Sequence, residues 1–414
     1  MTLASPETFP LAARASAANT SARVRDLRLD FFRGIAMFII LVAHTPGNFL
    51  TLWIPARWGF SDATEIFVFC SGMASAIAFG SAFAKVGWLL GTARVAFRVW
   101  QVYWAHIGLF VAIAALMAGI DHYGGYDKTY IGSLNLWAFF EAPAEPLIGL
   151  MTLSYVPNYF DILPMYMVVL AMMPLVMALS RINRWAVFAF MIAVWLGAQT
   201  WLAGAAHLAF PAEPWSDRKW FFNPFGWQLI FFTGFAFMRG WLPKPPVHGA
   251  LVAIAALVVI VTVGLSDVAV RLVAQNSAFD TSGVNPVVAA RKFLRPLIDK
   301  TDFGVLRYVH FLALGYIAWV IAGDKGDNLL ARGGSMPARV WDRVVRIILK
   351  VGQQSLAVFV ASMFLARVMG FVMDLTGRST ATVVLVNLGG ALVLVAVAYG
   401  AGWFKSQPWK GKAA

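Results

Sequence analysis

A long apolar run carries two charged residues at its start and a histidine well along its length, and these residue types could catalyse a reaction or bind a ligand. Asp30, Arg33 and His44 lie in the stretch RDLRLDFFRGIAMFIILVAH. Ionisable side chains inside a membrane helix are costly, so they usually face the interior of a helix bundle and have a function there. A histidine can act as a general base, and an arginine can bind a carboxylate or phosphate bidentately. The same residue types would serve a transfer reaction or a proton relay in a transporter.

The spacing of these residues places them on one face of an α-helix. At about 100° per residue, Arg33 and His44 return to within about 20° of each other, and Asp30 to within about 40° of His44. Arg33 and His44 are about 16 Å apart along the axis. We therefore expect His44 beyond the membrane midplane, and Asp30 and Arg33 at the cytoplasmic end of the same helix face. The alternative is an i,i+3 ion pair between Asp30 and Arg33, with His44 satisfied in the core.

The composition is that of a membrane protein. The chain has 414 residues, of which 60% are hydrophobic and 13% are charged, and its mean hydropathy is +0.71. A soluble protein would contain about 25% charged residues. Apolar runs of about 20 residues recur, each long enough to cross the hydrocarbon core of a bilayer. We expect an all-α fold, a polytopic integral membrane bundle of about ten transmembrane helices.

Hydrophobicity and turn residues divide the chain into ten predicted spans. They cover residues 31–53, 62–84, 97–119, 158–179, 185–203, 224–241, 249–265, 304–323, 352–372 and 380–403. We expect residues 1–24 to form a disordered cytoplasmic tail, 25–404 the transmembrane domain and 405–414 a basic cytoplasmic tail. The N-terminal residues lack the apolar core of a cleavable signal peptide, so the first span is expected to act as an uncleaved insertion signal.

The distribution of the net charge of +13 predicts the topology. With both termini in the cytoplasm, Lys and Arg are about twice as frequent on the cytoplasmic side as on the far side, as the positive-inside rule requires. This rule explains the excess of Lys and Arg, so no nucleic acid is expected as a partner. The single cysteine, Cys70, excludes an intramolecular disulfide and a metal site built from several thiolates, and we expect no metal.

Several stretches of the chain resemble a family of membrane acyltransferases. The pattern Asp-x-x-Arg-Gly followed ten residues later by His, with Arg25 five residues before the aspartate, is similar to the first-helix signature of transmembrane acyltransferases. The longer stretch that continues through WGFSDATEIFVFCSGMASA resembles the OpgC family more closely. YFDILPMYMVVL, FNPFGWQLIFFTG and VGQQSLAVFVASMF are also similar to that family. Its members are inner-membrane enzymes that succinylate osmoregulated periplasmic glucans.

The resemblance implies acyl transfer across the inner membrane of a bacterium. The donor would be an acyl-CoA in the cytoplasm, succinyl-CoA in this family, and the acceptor a glucan hydroxyl in the periplasm. His44 would be the catalytic residue, and Asp30 and Arg33 would belong to the active core. The resemblance leaves open whether the acyl group is succinyl or acetyl.

An acidic residue often precedes the catalytic histidine in this family, whereas this chain has Ala43 there. Asp62 and Glu65 are the candidates for orienting the imidazole of His44, because SDATEIF begins the second span on the side where the first one ends. The same two residues also fit a capping box at the start of a helix. A carboxylate at a helix start can serve both purposes.

Other polar residues are candidates for binding the two substrates. The donor candidates, which would hold the phosphates of CoA, are Arg25, Arg33, Arg94 and Arg98. The acceptor candidates are Asp161, Asn223, Trp227 and Gln228. The positive-inside rule alone also explains the arginines, an aromatic belt at the interface explains Trp227, and interhelical hydrogen bonds explain the other polar residues.

Three classes of function remain to be distinguished. In an O-acyltransferase, His44 acts as a general base or carries the acyl group itself. A transporter or flippase would move a sugar or acyl group without chemistry, although no inverted repeat is evident. A purely structural subunit would not need polar residues on one face of its first span. The expected partners are acyl-CoA, a periplasmic glucan and the lipid bilayer, and the sequence leaves a homo-oligomer open.

Overall fold

The computed structural model describes residues 26–274 and 286–410. These residues are mostly helical and contain no β-strand, apart from one isolated antiparallel bridge between Pro211 and Lys219. The all-α fold is therefore confirmed for the described ranges. The predicted N-terminal tail and Arg25 lie outside them.

The first ten helices are α1 (Leu27–His44), α2 (Pro55–Trp58), α3 (Ala63–Ser75), α4 (Ser81–Gly124), α5 (Trp137–Glu141), α6 (Ala144–Thr152), α7 (Ile162–Ala171), α8 (Met173–Ile182), α9 (Arg184–Ala198) and α10 (Thr200–Ala203). The others are α11 (Pro224–Arg239), α12 (Gly249–Gly264), α13 (Asp267–Ala274), α14 (Pro286–Ile298), α15 (Val305–Ala322), α16 (Met336–Gln353), α17 (Ser355–Thr376) and α18 (Thr380–Ser406). A π-helical turn, Ala76–Gly80, joins α3 to α4.

Five helical segments in the described part of the chain are long and apolar enough to cross a membrane, or up to seven if two bent helix pairs each count as one span. The five are Ala63–Gly124, Ile162–Ile182, Val305–Ala322, Ser355–Thr376 and Thr380–Lys410. The bent pairs are Arg184–Ala198 with Thr200–Ala206, and Gly249–Gly264 with Asp267–Val273. The predicted count of ten is not confirmed.

The predicted break between the second and third spans is helical in the structure. Residues Ala63–Gly124 form one helical segment that includes the π-helical turn Ala76–Gly80 and a kink at Gly87, where φ is +80°. Glycine adopts this left-handed region without the steric cost that a side chain would add. The two predicted spans are therefore continuous in secondary structure and change direction at a single residue.

Two further predicted spans correspond to helices that are short of a continuous apolar crossing. α1 has 18 residues but carries Arg28, Asp30 and Arg33 in its first two turns. α11 has only 16 residues, most of them buried. α11 packs against α3, α7 and α9. Both helices thus depend on neighbouring helices for much of their burial.

α1 packs closely against α16 through two glycines. A Cβ atom at Gly34 would collide with the carbonyl of Ile348, and one at Gly352 would collide with the carbonyl of Asp30. Small residues at such positions let the backbones of membrane helices approach each other. α1 also contacts α3 and α17. Its polar residues are therefore held inside the bundle, in agreement with the predicted polar stripe.

Candidate active site

A cavity of about 370 Å³ lies beside the C-terminal end of α1. Its polar lining residues are His44, Thr64, Asn158, Tyr159, Asp161 and Lys300. Phenylalanines form much of the remaining wall, namely Phe67, Phe221, Phe222 and Phe359. An apolar pocket with a few convergent polar groups is typical of a small-molecule site. We call it the His44 cavity.

The imidazole of His44 is oriented by the backbone. Its Nδ1 atom lies 2.8 Å from the carbonyl oxygen of Ile40. A carbonyl only accepts hydrogen bonds, so in the neutral ring Nδ1 carries the proton and Nε2 keeps a basic lone pair. His44 therefore has the tautomer that a general base acting through Nε2 requires.

A tyrosine packs edge-on against His44. The ring centroids of Tyr159 and His44 are 5.4 Å apart at an interplanar angle of 76°. The Tyr159 hydroxyl donates to the carbonyl of Met363 at 2.6 Å, and the Arg367 guanidinium lies 3.8 Å from the centre of the Tyr159 ring. Tyr159 also has φ +92°, a conformation that persists only where its surroundings enforce it. These contacts hold the tyrosine beside the imidazole.

Asp62 and Glu65 form the capping box that their spacing predicted. The Asp62 N–H donates to Glu65 at 2.8 Å, and the Thr64 N–H donates to Asp62 at 2.6 Å. Each carboxylate also has a cation. Lys300 Nζ lies 2.5 Å from Asp62, and Arg307 Nε donates to the fully buried Glu65 at 2.8 Å. The two acids and two cations form a compact charged cluster.

The carboxylate expected to orient His44 is not at its Nδ1 atom. The carbonyl of Ile40 occupies that position, while Asp62 and Glu65 make ion pairs with cations from the other half of the chain. The physical reason is local: the last turn of α1 supplies an acceptor without burying another charge. Asp62 still adjoins the cavity through its partner Lys300.

Lys300 reaches the cavity because α11 holds the segment that carries it. The Trp227 indole N–H donates to the Lys300 carbonyl at 2.9 Å, and the Asn223 N–H donates to the Thr301 carbonyl at 3.0 Å. The Asn223 side chain donates to Asp302 at 2.9 Å, and burial raises the pKa of this Asp302 carboxyl. Trp227 and Asn223 are both fully buried. They support Lys300 and are not placed at the cavity wall, where acceptor contact was predicted.

The other two acceptor candidates also differ in position. Asp161 lines the His44 cavity and accepts a hydrogen bond from the Phe221 N–H at 2.8 Å. Gln228 is fully buried and donates to the Met191 carbonyl at 2.7 Å, so it joins α11 to α9. Only Asp161 of the four acceptor candidates therefore lines this cavity.

A second cavity, of about 800 Å³, is lined by Arg33 from the first half of α1. Three cations line it, Arg33, Arg98 and Lys405. Arg33 donates a hydrogen bond to the hydroxyl of Ser355 at the start of α17. Two of the predicted donor residues thus meet here, whereas Arg94 is exposed and outside this cavity. We call it the Arg33 cavity.

α17 forms part of the wall of both cavities. Phe359 and Met363 line the His44 cavity, and Leu356, Val360 and Phe364 line the Arg33 cavity. These sets project from different sides of one helix. His44 and Arg33, which lie on one face of α1, therefore line two different cavities, and α17 forms a wall of both.

Sequence reasoning missed Lys300, Tyr159 and Arg367. A signal was present for two of them, because Tyr159 opens the motif YFDILPMYMVVL and Arg367 is a charged residue within a predicted span. Lys300 lies in a polar loop, and nothing in its local sequence distinguishes it from its basic neighbours.

A comparison with protein families finds one match of nearly full length. The model described as OpgC protein matches residues 25–406. The chain belongs to the OpgC family. The match includes every residue that lines either cavity. Searches of curated proteins and of solved structures give no match.

Proposed function

We propose that this OpgC-family protein is an integral membrane O-acyltransferase. It moves a succinyl-type group from acyl-CoA in the cytoplasm to hydroxyls of a periplasmic glucan. The observation that carries the proposal is His44, which lines a cavity with Nδ1 bound to the Ile40 carbonyl and Nε2 left as the base, about 16 Å along α1 from Arg33 in a cavity lined by three cations. Family membership supports the choice of succinyl group and glucan.

The reaction begins with a glucan hydroxyl in the His44 cavity. Nε2 of His44 takes the hydroxyl proton while the oxygen attacks the thioester carbonyl. The new C–O bond forms, the C–S bond breaks, and the proton passes from the imidazolium to the departing thiolate of CoA. General base catalysis of this kind contributes about 10²–10⁴-fold to the rate. The phenylalanines of the cavity supply apolar faces against which a sugar ring can pack.

The Arg33 cavity suits the anionic end of the donor. Arg33 and Arg98 can each bind a phosphate oxygen pair bidentately, and Lys405 adds a point charge. Asp30 is buried in the same part of α1, and Arg33 is held by its hydrogen bond to Ser355. The acyl end of the donor would then extend along α17 towards His44.

Lys300 favours a succinyl group over an acetyl group. Its ammonium has three N–H donors, and the Lys300 side chain remains 30% exposed although one donor meets Asp62. Among the described residues that line the His44 cavity, Lys300 is the one lysine or arginine. The free carboxylate of a succinyl group can therefore bind Lys300 while its thioester carbonyl lies near His44.

Purified protein with succinyl-CoA and glucan tests the proposal. In the proposed reaction, each CoA thiol released is matched by one succinyl ester formed on the glucan. If the protein instead moves glucan or the acyl donor across a vesicle membrane without thioester cleavage, the transporter alternative replaces the proposal.

A further inference from the structure

A third cavity, of about 530 Å³, adjoins the His44 cavity and shares Lys300 with it. Its charged lining residues are Arg291, Lys292, Arg295, Asp299, Lys300 and Arg307. Five cations therefore line this space with one carboxylate. We call it the basic cavity.

Three of the five cations have acidic partners. The ion pairs are Arg291 with Asp267, Lys300 with Asp62, and Arg307 with Glu65. Lys292 and Arg295 have no acidic partner within ion-pair distance among residues 26–274 and 286–410. Both are exposed, and their i,i+3 spacing on α14 places them on one side of the helix. The cavity thus has uncompensated positive charge.

Membrane insertion does not explain this charge. Under the predicted topology, residues 266–303 are periplasmic, where the positive-inside rule predicts few Lys and Arg. The segment nevertheless contains Arg271, Arg291, Lys292, Arg295 and Lys300. Arg291 and Lys300 have acidic partners within the protein, so a ligand with negative charge on this side of the membrane would account for Lys292 and Arg295.

We infer that the basic cavity binds an anionic substituent of the acceptor chain, and that the carboxylate of a succinyl group attached in an earlier turnover is such a substituent. The inference rests on the proposed function. Esterification by succinate consumes a neutral hydroxyl and leaves a free carboxylate on the glucan. The product of one transfer therefore has the charge that the basic cavity complements.

Because Lys300 lines both the basic cavity and the His44 cavity, a ligand bound in the first cavity affects which sugars reach the second. A sugar chain whose carboxylate occupies the basic cavity has its neighbouring sugars beside Lys300 and hence at the His44 cavity. Partly succinylated glucan is then a better ligand than unmodified glucan. The enzyme would add several succinyl groups to one chain in preference to one group on each of many chains.

A lipid phosphate is the other source of an anion at this place. Phe293 and Leu272 are 82% and 62% exposed next to the basic residues, and such side chains can enter a membrane surface. The shared chemistry is an oxyanion bound by Lys292 and Arg295. A test must therefore compare glucan in the absence and the presence of anionic lipid.

The test is equilibrium binding of two glucose oligomers of equal length, one unsubstituted and one monosuccinylated, to the full-length protein in neutral detergent. Wild-type protein should bind the succinylated oligomer about tenfold more tightly at low salt, as two exposed charge contacts would give. The double variant Lys292→Gln/Arg295→Gln should lose this preference. Lys219→Gln, which removes an exposed cation outside the cavity, should keep it.

Two results would overturn the inference. One is equal binding of both oligomers to wild-type protein, or a preference that survives in the double variant. The other is loss of the wild-type preference in nanodiscs that contain phosphatidylglycerol but not in neutral ones, which would assign the cavity to lipid. Because binding needs no turnover, failure of CoA release together with a preserved preference would overturn the proposed acyl transfer and still support the anion site.

Discussion

Nδ1 of His44 lies 2.8 Å from the carbonyl oxygen of Ile40, one turn earlier in α1. The helix itself thus sets the tautomer of the imidazole, and no carboxylate is needed at that atom. This arrangement accounts for Ala43 at the position where an acidic residue was expected. Asp62 and Glu65 are then available to hold Lys300 and Arg307 beside the cavity.

Replacement of His44 by asparagine should abolish transfer and leave the fold intact. The asparagine amide can still donate towards the Ile40 carbonyl, but it supplies no base, so kcat should fall by about 10²–10⁴-fold. Glucan-dependent CoA release measures the effect, and the amount of protein in the membrane measures folding. His122→Gln, a change at an exposed histidine, is the matched control. Wild-type kcat in His44→Asn would exclude His44 as the base.

Replacement of Lys300 by methionine should change the choice of donor. The carboxylate of succinyl-CoA loses a charge-assisted hydrogen bond, so kcat/KM for succinyl-CoA relative to acetyl-CoA should fall about ten- to a hundredfold. Lys300→Arg keeps the charge and should retain most of the preference. An equal loss with both donors would show that Lys300 acts on the reaction in general and does not recognise the carboxylate.

Replacement of Arg33 by lysine should weaken donor binding. Lysine cannot make the bidentate contact, so the KM for succinyl-CoA should rise about tenfold while the protein remains in the membrane. Arg94→Lys is the control, because Arg94 is exposed and outside the Arg33 cavity. If Arg33 only braces α1, whether through Asp30 or Ser355, the donor KM of Arg33→Lys should equal that of wild type at full activity.

The single cysteine makes the predicted topology testable in the intact chain. Cys70 is buried, so a membrane-impermeant thiol reagent should not label the parent protein in whole cells. A cysteine at Asp217 should react from the periplasm, whereas one at Gly334 should react only after the cells are opened. Both positions are exposed. Labelling of Gly334→Cys in intact cells would contradict a cytoplasmic position for the segment before α16.

The sequence was sufficient to predict the helical class and the parts of the site that lie on α1. The stripe from Asp30 to His44 follows from helical periodicity alone, and the capping box of Asp62 and Glu65 follows from a local pattern. The count of ten spans is not confirmed, and hydropathy does not reveal that the chain stays helical from Ala63 to Gly124 across the kink at Gly87.

The position of Lys300 could not be predicted from the sequence. It is held by hydrogen bonds from Trp227 and Asn223 to backbone carbonyls, which every residue possesses. Such contacts leave no motif near Lys300 itself. Trp227 and Asn223 lie near the predicted acceptor site, but they are fully buried and support Lys300 and do not line the cavity.

The most direct test of the central claim is mass spectrometry of periplasmic glucans from cells that carry the wild-type protein, the His44→Asn variant or no copy of the protein. If His44 catalyses succinyl transfer to glucan, ester-linked succinyl groups will be present on glucans only in cells with the wild-type protein. These groups should be removed by mild alkali. Equal succinylation in cells with His44→Asn would show that His44 is not the catalytic base, and equal succinylation in cells that lack the protein would show that another protein succinylates the glucan.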